Sequence, residues 1–352
     1  MKSSHKSQTT SGAHGARSNP AARPRRRTQI VVLAAGIALV GGACSSGATD
    51  SEDTIATAST PQATEPASGS PSAGQEDFTG TFDIGGRKMY MQCTGQGSPT
   101  VILISGGGIA ADLWDSPLGQ QPTVYPTIAK TTRVCAYDRP GTTRALAEGG
   151  FSRSDPVAQP VTPSRSAAEL HALLEATAET GPFVLAAHSY GGLVARLFAH
   201  QYPDDVAGMV LVDSFSPELR EAMPDLWPSW IAWNTTPAEI IESYPDYERV
   251  DFDNALDEVV ANRSIPPMPL VVLTADKPYP APTKPGLPAN INTVTREAQD
   301  VSQRQVALLA PGAEHITKTD SGHDIMLENP VLVSDAIVDV TTAVRDGRTS
   351  IG

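Results

Sequence analysis

The segment Phe183-Val184-Leu185-Ala186-Ala187-His188-Ser189-Tyr190-Gly191-Gly192 constrains the fold of this chain more than any other. An apolar run breaks at a serine set between small residues. It then resumes as the helix-like stretch Leu193-Val194-Ala195-Arg196-Leu197-Phe198-Ala199. A strand that turns this sharply into a helix holds its serine in a strained conformation, and only small neighbours let the backbone close the turn. Against the pattern G-x-S-x-G, Ala187 replaces the first glycine and Gly191 keeps the second. The segment reads as a nucleophile elbow, with Ser189 presented at the end of a buried strand.

From Phe78 onward, strand-like and helix-like segments alternate, which predicts an α/β fold with a mostly parallel central sheet flanked by helices. The predicted strands are Arg87–Cys93, Thr100–Ile104, Thr132–Tyr137, Phe183–Ala187, Met209–Val212, Leu270–Thr274 and His315–Thr319. Ser166-Ala167-Ala168-Glu169 has the form of a capping box, and Leu170, Leu173, Leu174 and Thr177 follow at helical spacing. A helix is therefore expected over 166–179. Between about 214 and 266 the rhythm is interrupted by an acidic, helical insert carrying Trp227, Trp230 and Trp233. An insert there is expected to lie over the strand ends as a lid. Its tryptophans either line a pocket or pack the insert onto the core.

Residues 1–29 carry seven Lys and Arg and no acid, and the apolar run Ile30 to Val40 leads to Gly41-Gly42-Ala43-Cys44. A basic stretch, a short apolar stretch and small residues form an export signal over 1–43. The apolar run is shorter than the roughly 20 residues a membrane-spanning helix needs. Cys44 stands where the lipid-bearing cysteine of a lipoprotein would stand, although Gly41 occupies the position usually held by leucine. The expected location is outside the cell membrane, anchored through Cys44 or freely secreted. Residues 44–77 are rich in Ser, Thr, Ala, Pro and Gly and read as a disordered tether before a domain over 78–352. Loss of residues 1–43 takes the net charge from −13 to −20. So acidic a body repels nucleic acid and anionic membrane, and leaves a lipid anchor as its only membrane contact. A monomer is expected.

Cys93 and Cys135 fall in strand-like segments, and in an oxidising compartment an even pair reads as a disulfide. A serine hydroxyl becomes a useful nucleophile only when a base takes its proton and a third group orients that base. Among His171, His188, His200, His315 and His323, the last sits in Asp320-Ser321-Gly322-His323-Asp324, a loop after the last strand. Catalytic side chains collect in such loops, so His323 is the expected base. There is no H-E-x-x-H zinc motif, and Gly106-Gly107-Gly108 lacks the Lys-Ser/Thr of a phosphate loop. Neither metal nor cofactor is expected.

Four motifs in order resemble the α/β-hydrolase superfamily, in its Ser-acid-His branch. Ile104-Ser105-Gly106-Gly107-Gly108 is similar to the His-Gly-Gly oxyanion loop, with Ser105 in place of histidine. Tyr137-Asp138-Arg139-Pro140-Gly141 is similar to the D-R-x-G turn, Ala187-His188-Ser189-Tyr190-Gly191 to the elbow, and Ser321-Gly322-His323 with Glu328-Asn329-Pro330 to the histidine loop. The resemblance implies that the backbone N–H groups of Gly107 and Tyr190 form the oxyanion hole, and that the Cys93 and Cys135 strands are neighbours. It offers two acids: Asp276, near the usual position after the post-lid strand, and Asp213, one strand earlier. Asp213 matches its site without a shift and is favoured over Asp276. The implied activity is that of a serine hydrolase on a small-molecule ester, thioester or amide. The alternative is a tethered binding protein that kept the fold without turnover.

Overall fold

The computed structural model describes residues 76–144 and 150–351. The expected export signal, Cys44 and the expected tether up to residue 75 lie outside the described residues. Eight strands make one sheet: β1 (Phe78–Asp83), β2 (Lys88–Thr94), β3 (Val101–Ile104), β4 (Val134–Tyr137), β5 (Phe183–His188), β6 (Val206–Val212), β7 (Leu270–Leu273) and β8 (Glu314–Ile316). Their spatial order is β1-β2-β4-β3-β5-β6-β7-β8. The pairs β1/β2 and β2/β4 are antiparallel and all others are parallel.

The sequence dictates this centre through strands that are apolar on both faces. β3, β4, β5 and β7 are buried at every residue, as parallel strands covered by helices on both sides must be. Alternate residues serve opposite layers. Ile102, Leu185, Met209 and Val272 pack into one core, and Leu103, Ala186, Val210 and Val271 into the other. The first layer is closed by α2 (Pro163–Ala176) and α3 (Gly191–Gln201), and the second by α1 (Val124–Ile128).

Between β6 and β7 the chain makes α4 (Pro217–Ala222), α5 (Trp227–Asn234), α6 (Ala238–Ser243) and α7 (Phe252–Ala261). Trp227 and Trp230 are buried, stack on each other at 4.8 Å and sit beside Phe215. Both therefore pack the insert onto the core. α8 (Ile291–Val306) follows β7, joining the first layer, and α9 (Ile325–Glu328) and α10 (Pro330–Arg345) follow β8, joining the second.

Three local expectations are corrected. The helix expected from Ser166 starts at Pro163: Thr162 is the cap, accepting the Arg165 N–H at 3.3 Å, and Ser166 is buried within the helix. Proline at the first helical position has no N–H to leave unpaired, so Thr162-Pro163 was the stronger start signal. β1 was not foreseen, because an edge strand that is half-exposed along its length carries few apolar residues. β8 ends at Ile316 rather than Thr319, since the Thr319 hydroxyl turns inward to donate to Thr274 O at 3.0 Å.

From β3 the chain passes to β4 on one side, whereas β5 lies on the other side of β3. Such a reversal is the switch point at whose carboxyl strand ends open α/β sheets bind ligands.

Cys93 and Cys135 are directly opposed in the β2/β4 register and are bonded as a disulfide. The bridge spans 42 positions of sequence. Constraint of the unfolded chain over such a loop is worth about 4 kcal/mol. A Cys93→Ala/Cys135→Ala protein should thus lose about 3 to 4 kcal/mol in urea unfolding. A loss below about 1 kcal/mol would show that the bridge adds little to the sheet around it.

Candidate active site

Ser189 follows β5 with φ of 51°, a left-handed conformation that costs roughly 1 to 3 kcal/mol for a residue with a side chain. Its N–H donates to Val212 O, and its carbonyl accepts from Gly192 and Phe215, so the strain is held by the neighbouring strand and helix. The tight turn also needs Gly191, where a Cβ would come within 2.6 Å of Ile104 O and 2.7 Å of Ser105 O. The elbow expectation and the approach of β3 are thus one geometric fact.

His323 lies in the loop after β8. Its Nε2 is 3.0 Å from Ser189 Oγ and its Nδ1 is 2.6 Å from Asp213 Oδ2. The first distance lets the imidazole accept the serine proton, and the second fixes the tautomer that leaves Nε2 free to do so. Asp213 follows β6, also left-handed at φ 39°, and is fully buried, whereas His323 keeps 35% of its side chain exposed.

Burial works to raise the Asp213 pKa. The His323 hydrogen bond and charge, Arg296 at 4.0 Å and the Ala275 N–H at 3.2 Å outweigh it, and the net shift is downward. The Tyr279 hydroxyl at 3.4 Å is kept protonated by its own burial and donates to Oδ2. Enclosure works to lower the pKa of His323, but the hydrogen bond and charge of Asp213 prevail and raise it.

Of the two aspartates offered by the sequence, the structure brings Asp213 and not Asp276 to the imidazole. Asp276 instead organises the loop that carries it. Its carboxylate accepts the N–H groups of Ser321 at 2.9 Å and Asp320 at 3.2 Å, and its own N–H donates to Ser321 O. Glu328 holds the Gly322 N–H at 3.0 Å. Asp276 ends up within the loop because β7 stops at Leu273 and the chain turns there alongside Thr319.

His188 also has a place that sequence reasoning missed. Burial, followed by the His323 charge, pushes it down to about 3. The neutral ring donates from Nε2 to His323 O at 3.1 Å, tying the histidine loop to the elbow. Its position next to Ser189 was the available signal. Tyr279, Arg296 and Gln299, the other neighbours of Asp213, carried none.

Gly107 sits against the elbow, where its Cβ position would be 3.5 Å from Tyr190 Cβ. Among the described residues, neither the Gly107 nor the Tyr190 N–H donates to a protein acceptor. Two such donors beside a serine can stabilise an oxyanion. Cys93, Cys135 and Glu179 converge, but the two sulfurs are joined and offer no thiolate to a metal.

The uncharacterized protein C23C11.06c of Schizosaccharomyces pombe is 29% identical over 153 residues, 37% of this chain and 26% of that protein. Across three curated relatives matched over short stretches, the chain spans 20% to 38% of their length. YqjL of Bacillus subtilis, also uncharacterized, is 24% identical over 270 residues, 75% of this chain and 92% of its own. Cfl2 from Burkholderia cenocepacia shares the fold at a TM-score of 0.50 and 20% identity, over 75% of this chain and 95% of that one. A family model described as the alpha/beta hydrolase family matches residues 101–336. With its strand order and elbow, the chain belongs to the alpha/beta hydrolase family.

Proposed function

We propose that this protein is a serine hydrolase that cleaves an ester, thioester or small amide through an acyl-enzyme. The observation that carries the reading is the continuous chain Ser189 Oγ, His323 Nε2, His323 Nδ1 and Asp213 Oδ2, at 3.0 and 2.6 Å. In the reaction, His323 takes the Ser189 proton as Oγ bonds to the substrate carbonyl carbon. The carbonyl oxygen becomes an oxyanion facing the Gly107 and Tyr190 N–H groups. His323 then returns the proton to the leaving alcohol, thiol or amine as its bond to carbon breaks. Water, deprotonated by His323, repeats the addition on the acyl-enzyme and releases the acid and Ser189. Asp213 stays ionised throughout and stabilises the imidazolium.

Labelling by a fluorophosphonate probe tests the nucleophile. Wild-type protein should label and Ser189→Ala should not, with its fold intact. A folded wild-type chain that takes no label would move the reading to a binding protein on this fold. p-Nitrophenyl esters of increasing chain length then define the acyl group accepted.

The aspartates separate by rate and by pH. Because the active form of His323 is neutral and Asp213 favours the charged form, activity should fall as pH drops through a value above 6.5, the ordinary histidine pKa. Asp213→Asn should cut kcat by roughly 10³- to 10⁴-fold and move that limb to lower pH. Asp276→Asn keeps a carbonyl acceptor for the loop and should leave the limb in place. Equal effects of the two substitutions would refute the assignment of Asp213.

We propose, from the export signal read over residues 1–43, that the protein lies outside the cell membrane; the disulfide supports this, since such bonds persist in oxidising compartments. If Cys44 carries lipid, the full chain expressed in a bacterium should partition into detergent and Cys44→Ala should not. Both remaining in the aqueous phase would leave secretion without an anchor.

A further inference from the structure

Arg139, in the turn after β4, and Glu248, between α6 and α7, are 3% and 5% exposed and form a two-point ion pair. Arg139 Nε donates to Glu248 Oε1 at 2.6 Å and Nη2 to Oε2 at 3.0 Å. The guanidinium also donates to Ser105 O at 2.8 Å and Gly106 O at 2.6 Å. Glu248 Oε2 accepts the N–H of Gly108 at 2.5 Å. The Glu248 N–H donates to Gly141 O at 2.9 Å, joining the insert to the turn that bears Arg139. The Arg139 guanidinium lies 5.4 Å from the centre of the Tyr190 ring.

We propose that Glu248, a residue of the insert, is the positioning residue that sets the oxyanion hole. The inference rests on the serine-hydrolase reading above. A trans peptide is planar, so its C=O and N–H point in opposite directions. The grip of Arg139 on Gly106 O therefore aims the Gly107 N–H away from the guanidinium. The grip of Glu248 on the Gly108 N–H fixes the next peptide plane. Three successive glycines have no side chain to hold these planes, and Gly108 is already left-handed at φ 73°. Glu248 supplies the missing restraint twice, directly at Gly108 and through the orientation of Arg139. Glu248 follows Gly108 by 140 residues in sequence, so the insert has to be seated before the loop is set.

The test uses Glu248→Gln, of the same shape but without the charge, and Glu248→Asp, which keeps the charge but is too short to hold Gly108 and Arg139 together. Each is assayed beside wild type on p-nitrophenyl butyrate and its thiono analogue, in which C=S replaces C=O. Sulfur is a poor hydrogen-bond acceptor, so the thiono substrate gains little from an aligned oxyanion hole. Both variants, folded by thermal melt, should lose roughly 10- to 100-fold in kcat on the oxygen ester with KM little changed. The loss on the thiono ester should be several-fold smaller, and the acid limb of the pH profile unmoved. Wild-type kcat in either folded variant, or equal losses on both substrates, would overturn the proposal. Failure of wild-type protein to take a fluorophosphonate would instead refute the hydrolase reading beneath it.

Discussion

The site is organised around a buried charge. Asp213 is fully enclosed at the carboxyl end of β6, and an isolated carboxylate there would be strongly unfavourable. It stays ionised because His323, Tyr279, the Ala275 N–H, Gln299 and Arg296 converge on it from the histidine loop, the end of β7 and α8. Each partner is brought there by a different segment. Asp213 is consequently satisfied only when β6, β7, α8 and the histidine loop are all in place. The same condition orients His323 toward Ser189, so folding and preparation of the site are a single requirement.

Backbone strain marks the same region. Of the four residues other than glycine with clearly positive φ among the described residues, Ser189, Asp213 and Asp320 lie at the elbow, at the end of β6 and in the histidine loop. Such conformations persist only where the surroundings over-determine them. The carbonyl of Ser189 accepts two N–H groups, Asp213 N–H bonds to Leu273 O, and the Asp320 N–H is held by Asp276. The sheet thus imposes the positions of Ser189 and Asp213, and Asp276 imposes that of Asp320.

Local chemistry was legible in the sequence, and long-range pairing was not. The buried strands, the elbow, His323 and the cysteine bridge could be read because each depends on residues within a few positions, or on one recognisable pairing. The preference for Asp213 over Asp276 came from the family resemblance rather than from local signals. Both follow an apolar strand, and which one meets His323 depends on how the loop after β8 folds back over β7. β1 was missed because its exposed face removes the apolar signature. The capping residue of α2 was misplaced because Ser166-Ala-Ala-Glu169 imitates a cap within the helix. Glu248 had no sequence signal, since an acid in an acidic insert looks like a solvated face until its partner 109 positions away is known.

Two buried arginine pairs extend the same logic from the site to the rest of the sheet. Arg133 with Glu179 and Arg139 with Glu248 each join a residue beside β4 to a distant part of the chain. Buried pairs of this kind add little net stability over well-packed apolar residues, yet they fail badly when one member is displaced. Their effect is therefore on geometry more than on stability. An apolar contact would tolerate a loop shifted by an ångström, whereas a two-point guanidinium pair bonded to backbone carbonyls does not. Under the proposed mechanism, a displacement of that size at Gly107 would separate an N–H that faces a reacting oxygen from one that misses it. In that mechanism the glycine-rich loop leaves room for substrate, and the buried ion pair restores the order that glycine gives up.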